Sequence, residues 1–188
     1  LVGLPLGILS GSIPFVERLT APFIEFFRYF PAPVFGALAV AVLGINDAPK
    51  IAIIIIGTFF QQVPMLSATT RHADLALTEA ARTLGASPLR VLMTVIIPEI
   101  APKIYKDMRI LLGWAWTYLI VAEVVGTSSG ITLFINQQAK YRNFDNVYAA
   151  IVILGIIGLG CELVLSRIGK DLFAWEDGRV GFLTKVRT

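Results

Sequence analysis

Apolar residues fall in long runs along this chain, and the runs are broken by charges, prolines and glycines rather than by polar linkers. About 20 apolar residues cross a hydrocarbon core as an α-helix, and four or five runs approach that length. Residues 1–9 read as the end of a longer apolar segment, without the charged region that opens a signal peptide, so further sequence is expected ahead of them. Residues 26–45, FFRYFPAPVFGALAVAVLGI, carry Arg28, Pro31 and Pro33 early and run clean only from Val34. At about 1.5 Å per residue that clean part is too short to span, and the pattern predicts an interfacial segment feeding a short helix. Residues 50–68 are long enough, but Gln61, Gln62 and Pro64 suit a face turned to protein or to a cavity better than one turned to lipid. Residues 104–125 and 147–168 complete the set. The expected fold is all-α: one polytopic membrane helix bundle over residues 1–188, with about five helices and the first truncated.

Composition agrees with that pattern. The chain has 188 residues, 56% hydrophobic and 15% charged, with a mean hydropathy of +0.75, which leaves too little polar surface for a soluble domain. One cysteine, Cys161, excludes an internal disulfide, and with the lone His72 it cannot build an all-Cys/His metal cage; no metal site is expected. The net charge of +3 is scattered, so there is no nucleic-acid footprint. The positive-inside bias gives an orientation. With the loop after Leu9 in the cytoplasm and alternating spans, thirteen of the sixteen Lys and Arg residues, Arg18 and Arg28 among them, are cytoplasmic, and only Lys50, Lys140 and Arg142 lie outside. The outer loops are then the NDAP segment around Asn46 and the longer stretch 127–146.

That orientation places a less apolar stretch, LTEAARTLGASPLRVLMTVIIPEIAP, in the cytoplasm. Asp74 is a helix N-cap candidate, and Gly85 sits where a left-handed residue ends a short helix. Ser87 and Pro88 supply a second N-cap and N1 proline, and the second helix is expected to run until Pro98 interrupts it. Leu77, Ala80, Ala81 and Leu84 share one face of the first helix, and the two alanines make that face small enough to enter a groove. From the local pattern alone, an amphipathic hairpin lying on the membrane is an equal alternative.

Glu79, Ala80, Ala81, then three residues, Gly85, nine residues and Val95-Ile96-Ile97-Pro98 resemble the EAA signature of the permease subunits of bacterial ATP-binding-cassette importers, with Val95 and Ile97 in place of the usual Ile and Leu. LGASPLRVLMTVIIPEIAPKI, AWTYLIVAEVVGTSSGI and FDNVYAAIVILGIIGLG resemble the nitrate, sulfonate, taurine and bicarbonate group of these permeases. The resemblance implies a type I importer permease in the bacterial inner membrane, working as a homodimer and fed by a periplasmic or lipid-anchored solute-binding protein. It implies a hairpin over residues 71–98 that couples to ATPase subunits through Glu79, Ala80, Ala81, Gly85 and Pro98. ATP and Mg would be bound by those partners. This chain has no phosphate-cradling loop: RIGKD at 167–171 lacks the first glycine at its spacing and the hydroxyl residue after Lys170.

Other residues have competing readings. Glu123, near the outer end of its helix, is costly at membrane depth; a gate or interfacial role is favoured over a substrate contact, with pairing to Lys140 or Arg142 as the plainer account. Glu162 is expected to meet a cation such as Arg109. Trp114 and Tyr118 share a face and could line a pathway, although packing is commoner, and Gln61 and Gln62 are better polar pathway candidates. Gly155, Gly158 and Gly160 suit close helix approach. The GTSSGI turn at 126–131 could act as an outer gate, and the tail 170–188 could anchor through Phe173 and Trp175. The expected function is import of a small oxyanion, with no catalytic residues in this chain. A stand-alone secondary transporter or channel is the rival; a membrane-embedded enzyme lacks a convergent nucleophile, base or metal cluster.

Overall fold

The computed structural model describes residues 2–44, 47–126 and 130–175. Among them the chain forms nine α-helical segments and no strand: α1 (Gly3–Ser12), α2 (Pro14–Arg28), α3 (Gly36–Leu43), α4 (Asp47–Arg71), α5 (Leu75–Thr83), α6 (Pro88–Val91), α7 (Ile97–Gly126), α8 (Ile131–Lys140) and α9 (Phe144–Leu172). The all-α expectation holds, with more segments than the apolar runs alone predict.

The centre of the bundle is α4, and its neighbours reach it by different means. Helix α1 lies parallel to it along a glycine seam. Gly3, Gly7 and Gly11 recur every four residues, on one face, and a Cβ on Gly7 would sit 2.6 Å from Leu66 Cβ, while one on Gly11 would sit 2.6 Å from the Ser67 carbonyl oxygen. Only glycine lets the two backbones approach this closely, and in lipid such packing is a main source of helix association. Leu66 of α4 is fully buried there with Ile8 of α1 and Ile100 and Ile104 of α7.

Helix α2 runs antiparallel to α4. Glu17 pairs with Arg71 at one end, and the Phe27 ring stacks on Phe60 with centroids 5.1 Å apart further along. The chain then breaks over Tyr29 to Pro31, passes through a 3-10 turn (Ala32–Phe35) and resumes as α3, bent by 82° from α2. Residues 26–44 therefore hold the end of α2, the break and the short helix α3. Pro31 and Pro33, which lack a backbone N–H, account for the break. Ala32 and Ala39 then bury against Ile53 of α4 and Ala122 of α7.

Helix α7 is antiparallel to α4 on the remaining side. Tyr118 lies flat over Gly57, where a Cβ would come within 2.6 Å of the ring, and Thr69 donates to Asp107. Helix α9 touches α7 with its C-terminal half, where the Tyr105 hydroxyl donates to the Leu165 carbonyl at 2.9 Å and Arg109 pairs with Glu162 as expected. Most of α9 is exposed apolar surface.

Three expectations are corrected. Stretch 127–146 is not simply loop, since α8 fills 131–140 and α9 already starts at Phe144. Gly155, Gly158 and Gly160 make no close approach among the described residues of this chain, because a Cβ at each meets nothing within 4 Å. Pro98 does not end a helix. The turn before it widens into a π-helix (Leu92–Ile96), the Ile97 N–H bonds back to Leu92, and α7 continues; the extra residue absorbs the clash that a proline makes with the preceding turn. By length and composition, α4 and α9 can each cross a membrane, and the α2 and α3 pair can form a third, broken span. Helix α7 is 30 residues long, and its apolar stretch from Met108 onward carries only Arg109 and Glu123 as charges.

Candidate functional site

The hairpin between α4 and α7 forms as its caps dictate. Asp74 accepts the Ala76 N–H at 2.8 Å and starts α5. At the other end Gly85 has φ +81°, the Gly85 N–H bonds the Arg82 carbonyl, and the Ala86 N–H bonds the Ala81 carbonyl at 3.1 Å. These two bonds around a left-handed glycine are a Schellman motif. Ser87 then caps α6 with Pro88 behind it. The two feet of the hairpin are tied by a residue that sequence reading passed over: Glu99 accepts the Asp74 N–H at 3.0 Å and is held in turn by Lys103 at 2.7 Å.

The hairpin projects from the bundle. Leu84 is 88% exposed and Leu89 70%, and Leu77, Glu79 and Ala80 are exposed as well, with Ala81 half-buried. Apolar side chains at a polar tip are an unpartnered surface. The face carrying Leu77, Ala80, Ala81 and Leu84 is therefore not used inside this chain. Pro98, also exposed, stands apart from it at the entry to α7.

The pathway candidates separate into two groups. Gln62 is committed to packing: it lies against Gly3 of α1, and its amide reaches Met108 Sδ at 3.6 Å. Tyr118 is held over Gly57. Gln61 shares a face with Met65 and Ala68, turned away from the α1 seam of Val63, Leu66, Ser67 and Thr70. Trp114 is 48% exposed. Gln61 and Trp114 each lie one turn from the Gly57 to Tyr118 contact, toward the hairpin, on antiparallel helices, and so share one height.

Glu123 is only 8% exposed and accepts the Thr132 backbone N–H at 2.9 Å. It thus caps the start of α8, where a carboxylate is favoured by the free N–H groups, and its atoms fill the space that a side chain on Gly130 would need. Its identified partner is the backbone of α8 rather than Lys140 or Arg142. Of the GTSSGI turn, residues 127–129 lie outside the described residues, as does the tail from 176; Phe173 and Trp175 meet edge to face at 5.3 Å, and Phe173 also packs on Tyr105. Among the described residues no group of His, Cys, Asp and Glu could hold a metal.

One basic residue lies elsewhere than charge counting placed it. Arg28 follows Phe27, whose ring stacks on Phe60 half-way along α4 rather than at its Arg71 end.

Residues 3–172 match a family described as binding-protein-dependent transport system inner membrane component. A probable ABC transporter permease protein of Brucella abortus is 31% identical over 94% of this chain and 70% of the relative. The taurine transport system permease protein of Escherichia coli is 31% identical over 94% of this chain and 64% of the relative. The bicarbonate transport system permease protein of Synechocystis is 27% identical over 90% of this chain and 61% of the relative. In fold, the chain resembles the MetNI methionine ABC transporter in an inward-facing conformation, with a TM-score of 0.79 at 22% identity over 90% of this chain and 85% of that one.

Proposed function

The chain belongs to the family of binding-protein-dependent transport system inner membrane components and is a permease subunit; from that premise we propose that it moves a small oxyanion, such as taurine or another sulfonate, bicarbonate or nitrate. The relatives named for taurine and bicarbonate support that solute class. In this reading the permease works as two copies in the bacterial inner membrane, spans it several times and receives solute from a periplasmic or lipid-anchored binding protein. Partner ATPase subunits bind ATP and Mg and hydrolyse the nucleotide. A stand-alone channel or secondary transporter is not favoured by permease relatives of this kind.

The observation that carries the coupling role is the projecting hairpin. Its Schellman turn leaves Leu77, Glu79, Ala80 and Leu84 exposed and Ala81 half-buried beside them, a surface suited to a groove on an ATPase. Closure of the ATPases would press on this tip and switch the cavity between inward-facing and outward-facing states. Gln61 and Trp114 then belong to the pathway, whereas Gln62 and Tyr118 hold its wall together. Glu123, tied to the start of α8, sets the position of the outer gate and does not hold solute.

The test is reconstitution with the ATPase subunits and the solute-binding protein in proteoliposomes. ATP-dependent uptake of taurine, bicarbonate or nitrate is expected. Uptake that proceeds without ATP would overturn the importer reading, and uptake confined to uncharged solutes would overturn the oxyanion assignment alone.

A further inference from the structure

Arg28 occupies a position that the coupling and gating roles leave unexplained. The Glu17 to Arg71 pair and the Phe27 to Phe60 stack fix α2 against α4. Phe60 is eleven residues from Arg71 and thirteen from Asp47, about 16 and 20 Å along the axis. The guanidinium therefore stands near mid-height in the bundle. It is exposed on the surface of the chain, makes no ion pair among the described residues, and contacts the Tyr29 ring at 5.4 Å. Immediately after it the helix breaks and turns by 82°.

An unpaired cation at that depth is costly against lipid, and such residues face a bundle interior or a water-filled cavity. The side chain is too short to reach either membrane surface from mid-height by extending along its helix. Gln61 of α4 is adjacent in sequence to Phe60, and Trp114 of α7 shares the height of Gln61, so three helices bring a guanidinium, an amide and an indole to one level. The offered chemistry is specific. A guanidinium presents paired N–H donors to two oxygens of a carboxylate-like or sulfonate-like group. Glu25 stands one turn earlier on the same helix and is exposed too, which limits the net positive charge of the face, so that an anion is held briefly and then released.

We propose that Arg28 is a transit-binding residue for the oxyanion group of the solute, half-way across the permease. This assignment rests on the oxyanion reading above for its ligand, and on geometry alone for its access to water.

Two measurements on the reconstituted transporter separate those supports. In a Cys161→Ser background, Arg28→Cys is expected to react with an impermeant anionic methanethiosulfonate at least tenfold faster than Ile156→Cys on the exposed apolar face of α9. Equal rates would place Arg28 against lipid and overturn the proposal. In ATP-driven uptake of taurine and bicarbonate, Arg28→Gln is expected to lose tenfold or more in kcat/KM for the anion that wild type carries, with basal ATPase activity retained and Arg28→Lys intermediate. Wild-type uptake that Arg28→Gln leaves unchanged refutes the role of Arg28 and spares the oxyanion reading. Wild type that carries a neutral solute and no anion refutes the ligand class for both.

Discussion

Replacing Gly85 isolates backbone conformation from packing, because a Cβ at this position would meet nothing within 4 Å while φ stands at +81°. No steric cost from neighbours enters the comparison. An L-residue forced into the left-handed region costs about 1–2 kcal/mol, with β-branched residues at the upper end or beyond and asparagine well below it. If the turn opens instead, the two bonds from the Gly85 and Ala86 N–H groups to Arg82 and Ala81 are lost, about 1 kcal/mol each. Since about 1.4 kcal/mol is tenfold in a population, Gly85→Ala should lower the formed turn by about tenfold relative to the open one. Gly85→Val should lower it further, and Gly85→Asn should stay near wild type. The assay is ATP-driven uptake per molecule of permease in proteoliposomes, read together with the ATPase rate, and the expected order is Gly, Asn, Ala, Val. Wild-type uptake by Gly85→Val would refute the claim that a preformed turn transmits coupling. Equal loss in Asn and Val would show that small size, not positive φ, is what the position requires.

Four further outcomes are expected. Gly11→Ala should lower the thermal midpoint of the detergent-solubilised protein, because overpacking of about 1–3 kcal/mol outweighs the helix propensity gained, about 1 kcal/mol; Gly158→Ala, with open space around it, should not, and equal shifts would refute the seam. Glu99→Ala should uncouple uptake from hydrolysis by freeing the Asp74 N–H, whereas Lys103→Ala should be milder; ATPase-to-uptake ratios decide. Glu123→Ala should cost about 1–3 kcal/mol by leaving the Thr132 N–H without its acceptor, seen as a lower thermal midpoint, and Glu123→Gln should leave the preference between taurine and bicarbonate unchanged. In a Cys161→Ser background, Ser87→Cys and Tyr141→Cys should label from opposite sides of oriented vesicles with an impermeant reagent; labelling from one side refutes the orientation.

The parts of this molecule legible in the sequence are those fixed locally. Asp74, Gly85, Ser87 and Pro88 each act within one turn of chain, and each cap formed as read. The Arg109 to Glu162 pair was legible because two charges on apolar helices have few other ways to be accommodated. What escaped depends on partners distant in sequence. Both α1 and α9 carry several glycines, yet Gly3, Gly7 and Gly11 meet α4 and Gly169 meets Tyr105 of α7 while Gly155, Gly158 and Gly160 meet nothing within 4 Å, and nothing in either segment says which. The level of Arg28 in the bundle likewise depends on Phe60, more than thirty residues away. Pro98 was read as a stop because a π turn, which accommodates it, leaves little trace in composition.

The bond from Glu99 to the Asp74 N–H has a mechanical consequence. It joins the end of α4 to the start of α7 at the base of the hairpin, so the tip is a lever arm mounted on two helices clamped at one point. A force applied near Leu84 becomes a torque on the pair and cannot be spent in spreading its feet. Because Gln61 and Trp114 stand on those two helices at similar distance from the clamp, one rotation would carry both through a similar arc, and under the proposed coupling an ATPase stroke at the tip would reach them as one rigid tilt.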